Sequence, residues 1–335
     1  MIDMRSPYLI FLGDVSNTGL AKTAFGVVDW AREKCLGQLR FPDCKLSVGL
    51  PDMDVEAAAR AGAKSLVIGV APFGGRIDPA WMPTLERAIK AGLDIVSGLH
   101  DRLSAIPALS ALAAEQGVAL IDIRHPDTAF PIATGRKRTG KRLLMVGTDC
   151  SVGKKYTALA ATQALKEAGM SATFRATGQT GIMISGSGIP IDAVVSDFIA
   201  GAAETLSPDA PADHWDVIEG QGSLFHPAYA GVTLGLLHGS QPDAMILCCD
   251  PTRATINGYS DFPTPSLSQA VDVYERHARL VNAFSSVVAI SLNTKGLSLD
   301  GAQSALKLAS SETSLPAFDP VRFPKDFESG LAVII

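Results

Sequence analysis

The sequence predicts an α/β protein with parallel sheets: an N-terminal sheet domain followed by a P-loop NTPase-like α/β domain. Three observations carry this reading. The chain has 335 residues, enough for about two domains. Its first 123 residues alternate short apolar runs with helix-forming stretches, as parallel strands joined by crossover helices do. Residues 142–160, RLLMVGTDCSVGKKYTALA, read as strand, small-residue loop, Gly-Lys and helix, the layout of a phosphate-binding loop.

Taken in order, residues 8–13 form an apolar strand, and 19–33 read as a helix with Thr18 as N-cap. Residues 45–50 read as the next strand, followed by Asp54 and an alanine-rich helix to Ala61. Strands are expected over 65–70, 94–99 and 119–123, with helices over 81–91 and 103–116. Five such units imply a parallel sheet covered on both faces. The turn GDVSNTGLAKTA, with Gly13 and Gly19, lacks G-x-G-x-x-G and so carries no dinucleotide fingerprint. APFGGR (71–76) and GLHD (98–101) follow strands, where ligands of open α/β sheets bind, so Arg76 and His100 are candidates. Loop stabilisation is the simpler reading of each.

Residues 134–142, TGRKRTGKR, carry five Lys or Arg in nine positions. A solvated interdomain linker is the simpler reading, and a contact to a ligand's phosphate the sharper one.

In the loop that follows, a helix N-terminus presents unpaired N–H groups and a positive dipole end, and glycine lets the backbone approach an anion. Lys154 adds a full charge. Two departures from the usual pattern limit the chemistry. Five residues, not four, separate Gly147 from Gly153, and Lys155 stands where Ser or Thr would hold Mg²⁺. Thr157, the nearest hydroxyl, comes two positions late. GTDCSVGK still resembles the loop of dethiobiotin-synthetase-like P-loop proteins. The expectation is phosphate binding through Gly147, Asp149, Ser151, Val152, Gly153, Lys154, Lys155 and Tyr156, with Mg²⁺-dependent NTP hydrolysis in doubt. An ordinary strand-to-helix turn that happens to carry Gly-Lys is the plain alternative.

Beyond it, 172–176 reads as a strand and TGQTGIMISGSGIP (177–190) as a glycine- and hydroxyl-rich loop of functional length. A helix is expected over 191–203. Residues 215–218 form a strand ending in EGQGS, which puts Glu219 where P-loop proteins place acidic groups near phosphate or metal. Further strands are expected over 244–249, ending in Asp250 and Arg253, over 287–292 and over 315–318, with a helix over 266–283.

Composition sets the outer limits. Hydrophobic residues make up 47% and charged residues 19%, so a large core is available and disorder is not expected. A net charge of −5 argues against nucleic acid as the main partner. No apolar run approaches a membrane span, and the N-terminus reads as a first strand rather than a signal peptide. The five cysteines form no CxxC pair, which indicates neither a disulfide framework nor a zinc site and fits a reducing cytoplasm. Cys248 and Cys249 read as core residues. Cys150 lies inside the loop, but no histidine is near it in sequence to activate it.

The segments GDVSNTGLAKTAFG, GVAPFGG, GLHD, GTDCSVGKKYTALA, RATGQTGIMISG, IEGQGSLFHPAYAGVTLGLLHGS and FDPVR together resemble the DgcN-like proteins, long a domain family of unknown function. The resemblance covers nearly the whole chain. Characterised members are D-glutamate N-acetyltransferases of bacterial D-amino-acid catabolism. It implies a Rossmann-like N-terminal domain and a P-loop-like C-terminal domain, placed here at 1–134 and 142–335 with a basic linker at 135–141. It further implies that acetyl-CoA donates its acetyl group to D-glutamate, and that an epimerase then converts the product to the L form. A homo-oligomer with small-molecule substrates, no metal, no nucleic acid and no membrane is expected.

Coenzyme A carries phosphates that a P-loop can hold without hydrolysing anything, and acetyl transfer needs no Mg²⁺, so Lys155 ceases to be a defect. Glu219 is the first candidate for the general base and His226, at the expected start of a helix, the second. A structural hydrogen bond from Glu219 to the loop backbone is an equal alternative. Thr177, Gln179, Thr180, Gly220, Gln221 and Ser223 are the expected substrate-binding residues, their backbone supplying oxyanion donors. Two other classes compete: an ATP- and Mg²⁺-dependent ligase or kinase of the dethiobiotin-synthetase type, and a non-catalytic nucleotide-binding module.

Overall fold

A computed structural model describes residues 2–18, 20–70, 72, 75–125 and 129–334. Gly19 and residues 71, 73 and 74 of the APFGGR turn lie outside the described residues. In chain order the strands are β1 (Ile2–Asp3), β2 (Tyr8–Gly13), β3 (Cys35–Arg40), β4 (Ser65–Ile68), β5 (Asp94–Ser97), β6 (Leu120–Asp122), β7 (Lys141–Gly147), β8 (Ala172–Arg175), β9 (Ser187–Gly188), β10 (Trp215–Ile218), β11 (Ala244–Cys249), β12 (Thr255–Ile256), β13 (Tyr259–Pro263), β14 (Ser286–Leu292) and β15 (Ala317–Phe318). The α-helices are α1 (Lys22–Trp30), α2 (Val55–Arg60), α3 (Met82–Lys90), α4 (Pro107–Gln116), α5 (Lys154–Glu167), α6 (Gln179–Ser185), α7 (Ile199–Leu206), α8 (Ala230–Ser240), α9 (Leu267–Ala278), α10 (Leu299–Thr313) and α11 (Pro324–Ile334).

The chain divides into two compact units, residues 1–128 with 178–193, and residues 129–177 with 194–335. The expected linker at 135–141 therefore falls inside the second unit, and 178–193 returns to the first.

The first unit is a parallel sheet in the order β3-β2-β4-β5-β6. Every residue of β2 is buried, as a central parallel strand requires. The strand expected over 45–50 is absent, and β3 takes its place beside β2. CLGQLR hides its strand character because Gly37 and buried Gln38 break the apolar run. The Gln38 amide donates to Ser47 Oγ and Asp52 Oδ1, and its oxygen accepts from Val48 N–H. Side-chain bonds of one residue thus hold 47–52 where a ladder was expected. The loop expected over 177–190 contains α6, which ends at Gly186 with φ +87°. Lys34 Nζ donates to the carbonyls of Ile184 and Ser185 and so closes the helix C-terminus.

The second unit is a parallel sheet in the order β15-β14-β11-β7-β10-β8. From β7 the chain first builds β8 and β10 on one side, then β11, β14 and β15 on the other. The carboxyl end of β7 is therefore the point where strand order reverses, which is where open α/β sheets bind ligands. Leu143, Met145, Val217, Ile246 and Ala289 of the sheet pack with Ala158, Ala161 and Leu165 of α5 and with Phe327 and Leu331 of α11. The helix expected to start at His226 is α8, which begins four residues on at Ala230, and its sequence AGVTLGLLHGS spends three positions on glycine. Two of them explain why: a Cβ on Gly235 would lie 2.6 Å from Ile199 Cγ2, and one on Gly239 2.3 Å from the Ala200 carbonyl. The glycines let α8 press against α7. Among the described residues, no helix is long and apolar enough to cross a membrane.

The basic segment is solvated only in part, because two of its five cations, Arg138 and Arg142, are buried. Arg142 is buried and donates to Ser207 Oγ and to the carbonyls of Arg138, Thr139, Gly140 and Pro208. Arg138 is buried over the end of α8, donating to the Gly239 and Ser240 carbonyls, and burial lowers its pKa to about 10. Arg136, Lys137 and Lys141 do conform to a surface reading, Arg136 in an exposed pair with Asp209 and Lys137 in one with Asp243. Arg142→Leu should therefore destabilise the protein by about 3 kcal/mol or more, since several buried carbonyls lose their donor at about 1–3 kcal/mol each. Arg136→Ala should cost about 1 kcal/mol at most. Urea denaturation of the two variants checks this, and equal midpoints would refute it.

Candidate active site

The site grows from the end of β7. Gly147 is the last residue of the strand, and a Cβ there would lie 2.9 Å from Val152 Cγ2 and 3.2 Å from Lys154 Nζ. Left-handed backbone at Ser151 (φ +56°) and Gly153 (φ +110°) turns the loop into α5, whose first residue is Lys154. Lys154 is buried, and its Nζ donates to the Asp149 carbonyl at 2.8 Å. Burial pushes its pKa below the ordinary lysine value, while Cys248, Cys150, Asp149 and Glu219 oppose the shift.

Not every expected loop residue faces a ligand. Val152 belongs to the core beneath the sheet. Asp149 is fully buried and anchors the loop from within. Its Oδ1 accepts from Cys150 N–H at 2.6 Å, and its Oδ2 accepts from Arg253 Nη1 at 2.6 Å and Asn257 N–H at 2.8 Å. Lys155 Nζ lies 4.5 Å from the centroid of the Tyr156 ring, a cation–π pair. Thr157 is buried against Ser291 Oγ at 2.8 Å, on the sheet side of α5, so it does not replace the missing Mg²⁺ hydroxyl.

A second layer comes from the ends of β8 and β10. Thr177 N–H donates to Glu219 Oε2 at 3.0 Å, and Thr177 Oγ1 donates to the Glu219 carbonyl at 2.7 Å. Gln221 Nε2 donates to Thr177 Oγ1 at 3.1 Å. Gly220 sits so close that a Cβ would be 1.8 Å from the Met145 carbonyl and 2.9 Å from Lys154 Cδ. Glu219, the residue before it, is buried, and its charge is among those that act on Lys154. Ser223 is fully buried, and its Oγ accepts from Phe225 N–H. Thr177, Glu219, Gly220, Gln221 and Ser223 therefore come together with the loop. Gln179 and Thr180 open α6 in the first unit, where Thr180 Oγ1 meets Thr23 Oγ1 at 3.3 Å.

His226 lies in a turn four residues before α8 rather than at its start. Its Nδ1 accepts from Ala228 N–H at 3.1 Å, which leaves the ring proton on Nε2. The fold places it near Cys150 after all: a His226 ring nitrogen, the Cys150 sulfur and an Asp149 carboxylate oxygen all lie within 4.8 Å of one another. Those groups have a metal-ligand composition, yet Asp149 already serves Arg253 and His226 Nδ1 already serves Ala228. Burial raises the Cys150 pKa, with Lys154 acting in the opposite direction, so this thiol does not have the depressed pKa of an activated nucleophile.

Sequence reasoning missed Tyr274, a fully buried residue of α9. Its hydroxyl donates to the Gly147 carbonyl at 2.7 Å and accepts from Leu224 N–H at 3.1 Å, joining the loop to the segment after β10. Burial raises its pKa to about 12. No local signal marks it, because it sits 127 positions from its partner.

The fold and the site define a two-domain protein of the P-loop class, with a buried lysine opening α5 and no hydroxyl for Mg²⁺ directly after it. The chain belongs to the DUF1611 family: residues 131–327 match its C-terminal P-loop domain of unknown function, and 41–126 its N-terminal Rossmann-like domain. A D-glutamate N-acetyltransferase of Tritonibacter scottomollicae is 50% identical over 95% of this chain and 96% of its own. Another, from Pseudoalteromonas sp., is 47% identical over 96% and 97%. A crystallised DUF1611 family protein from Anabaena variabilis is 33% identical over 98% of this chain and 99% of its own, with a TM-score of 0.86.

Tyr274→Phe should lower stability by about 1–3 kcal/mol, because buried Gly147 and Leu224 groups lose their partner while the ring still fills its place. Chemical denaturation measures the loss, and an unchanged midpoint would mean the hydroxyl does not hold the loop.

Proposed function

We propose that this protein is a D-glutamate N-acetyltransferase whose P-loop holds the phosphates of acetyl-CoA. The amine attacks the thioester carbonyl, a C–N bond forms, the C–S bond breaks, and coenzyme A leaves as the thiol after taking up a proton. The relatives' activity supports the reaction. The observation that carries the role of the loop is Lys154, a buried ammonium at a helix N-terminus. An arriving phosphate can take the lysine's contact from the Asp149 carbonyl. Lys155 adds charge at the same helix end without recruiting Mg²⁺.

This placement bears on the proton. The pantetheine arm separates the thioester of coenzyme A from its phosphates. A carboxylate that is tied to the Thr177 N–H and whose charge acts on Lys154 belongs to the phosphate end and cannot serve both. With phosphates in the loop, Glu219 holds the Thr177 turn and balances Lys154, and it is not the base at the reacting carbon. His226, with Nδ1 accepting, is a donor in this arrangement.

Lys154→Ala should weaken coenzyme A binding about tenfold to a hundredfold, since charge-assisted hydrogen bonds contribute about 1.5–3 kcal/mol. Calorimetry showing unchanged affinity in the folded variant would remove the loop from the site. Affinity should also depend on pH. Burial lowers the free-state pKa of Lys154, and a bound phosphate raises it again. Binding is therefore strongest below the free-state pKa and declines as pH climbs through the bound-state one.

Acetyl transfer should persist in EDTA, and a strict Mg²⁺ and ATP requirement would bring forward the ligase reading. Glu219→Gln should raise the KM for acetyl-CoA while leaving the pH profile of kcat in place. Loss of the limb of that profile governed by the base would restore Glu219 as the base.

A further inference from the structure

We propose that the hairpin β12–β13, with Tyr259 and Phe262, is the platform on which the adenine of the acyl donor stacks. The inference rests on the proposed use of acetyl-CoA by the loop.

The hairpin turns at Asn257-Gly258, where Gly258 has φ +84°. Every residue of β13 is exposed, among them Tyr259 and Phe262, whose rings lie 6.0 Å apart edge to face. Tyr259 in turn packs edge-on against His226, with centroids 5.1 Å apart, and His226 packs on exposed Tyr229 at 4.5 Å. A line of aromatic rings therefore runs from the buried side of the loop to solvent. Arg253 and the hairpin turn line a cleft of about 430 Å³ beside it.

The hairpin is fixed to the loop by one carboxylate. Asp149 Oδ2 accepts both Asn257 N–H and Arg253 Nη1, and Arg253 also donates to the Cys150 carbonyl at 2.6 Å. Phosphates held at residues 151–155 are thus one side chain away from exposed π-faces and from a guanidinium. That pairing of an anion site with flat apolar rings matches one chemical class, a nucleotide, in which a phosphate and a base are joined through a short sugar. Sequence alone gave no hint of this, because no short-range pattern assigns YSDFP an element or a role.

The test uses two donors: acetyl-CoA, and S-acetylpantetheine, which lacks the nucleotide. Tyr259→Ala and Phe262→Ala should each raise the KM for acetyl-CoA about tenfold with kcat held, as the loss of one base–aromatic stack predicts. The KM for S-acetylpantetheine should not move, and Tyr259→Phe should behave as wild type. An unchanged KM for acetyl-CoA, or equal rises for both donors, would overturn the proposal. So would dissociation of an oligomer, seen by sedimentation, with the KM held, since a second copy would then be what covers the rings. If wild-type protein fails to use acetyl-CoA at all, the donor reading fails separately. Calorimetry with adenosine 3′,5′-bisphosphate then decides the platform: wild-type binding lost in Tyr259→Ala supports it, and no binding overturns it.

Discussion

The buried carboxylate of Asp149 is the constraint on which the rest of the site depends. One side chain accepts from its own loop, from Arg253 beyond β11 and from the Asn257 N–H of the hairpin. An unpaired charge buried that deeply would be costly, and the guanidinium at 2.6 Å together with two N–H groups makes it tolerable. The arrangement sets the curvature of the loop, and the curvature brings the Asp149 carbonyl within reach of Lys154. Three segments far apart in sequence thus share one position because a single carboxylate needs all of them.

The close approach of β10 to β7 is the second requirement. At Gly220 only a hydrogen fits between the chain and the Met145 carbonyl. Beside that contact the Thr177 N–H and hydroxyl donate to Glu219, which forms the polar floor of the loop. Tyr274 completes the enclosure from α9. The loop is therefore held at its start, middle and floor by side chains, two of which, Arg253 and Tyr274, come from other segments.

Much of this was legible in the sequence where local patterns suffice. The apolar strands and the Gly-Lys turn have short-range signatures, and both parallel sheets and the loop stand where those signatures put them. The parts that were hidden depend on distant partners. CLGQLR becomes a strand only because Gln38 finds Ser47 and Asp52. Residues 179–185 become a helix closed by Lys34, and so join the first unit rather than the loop that their glycines suggested. Arg138 and Arg142 looked solvated because charge is the dominant local signal, while their burial depends on helix ends about 100 and 65 residues away. The Glu219 charge acts on Lys154, and His226 lies with Cys150 and Asp149. Their roles were not readable, because the bond from Ala228 and the one from Thr177 are invisible until the chain folds.

The most direct measurement is a crystal structure of the protein with coenzyme A bound. The account predicts a phosphate against the N–H groups of residues 151–155, with Lys154 turned from the Asp149 carbonyl toward it. A complex with the coenzyme A sulfur lying beside Lys154 and Glu219, and all its phosphates elsewhere, would contradict it.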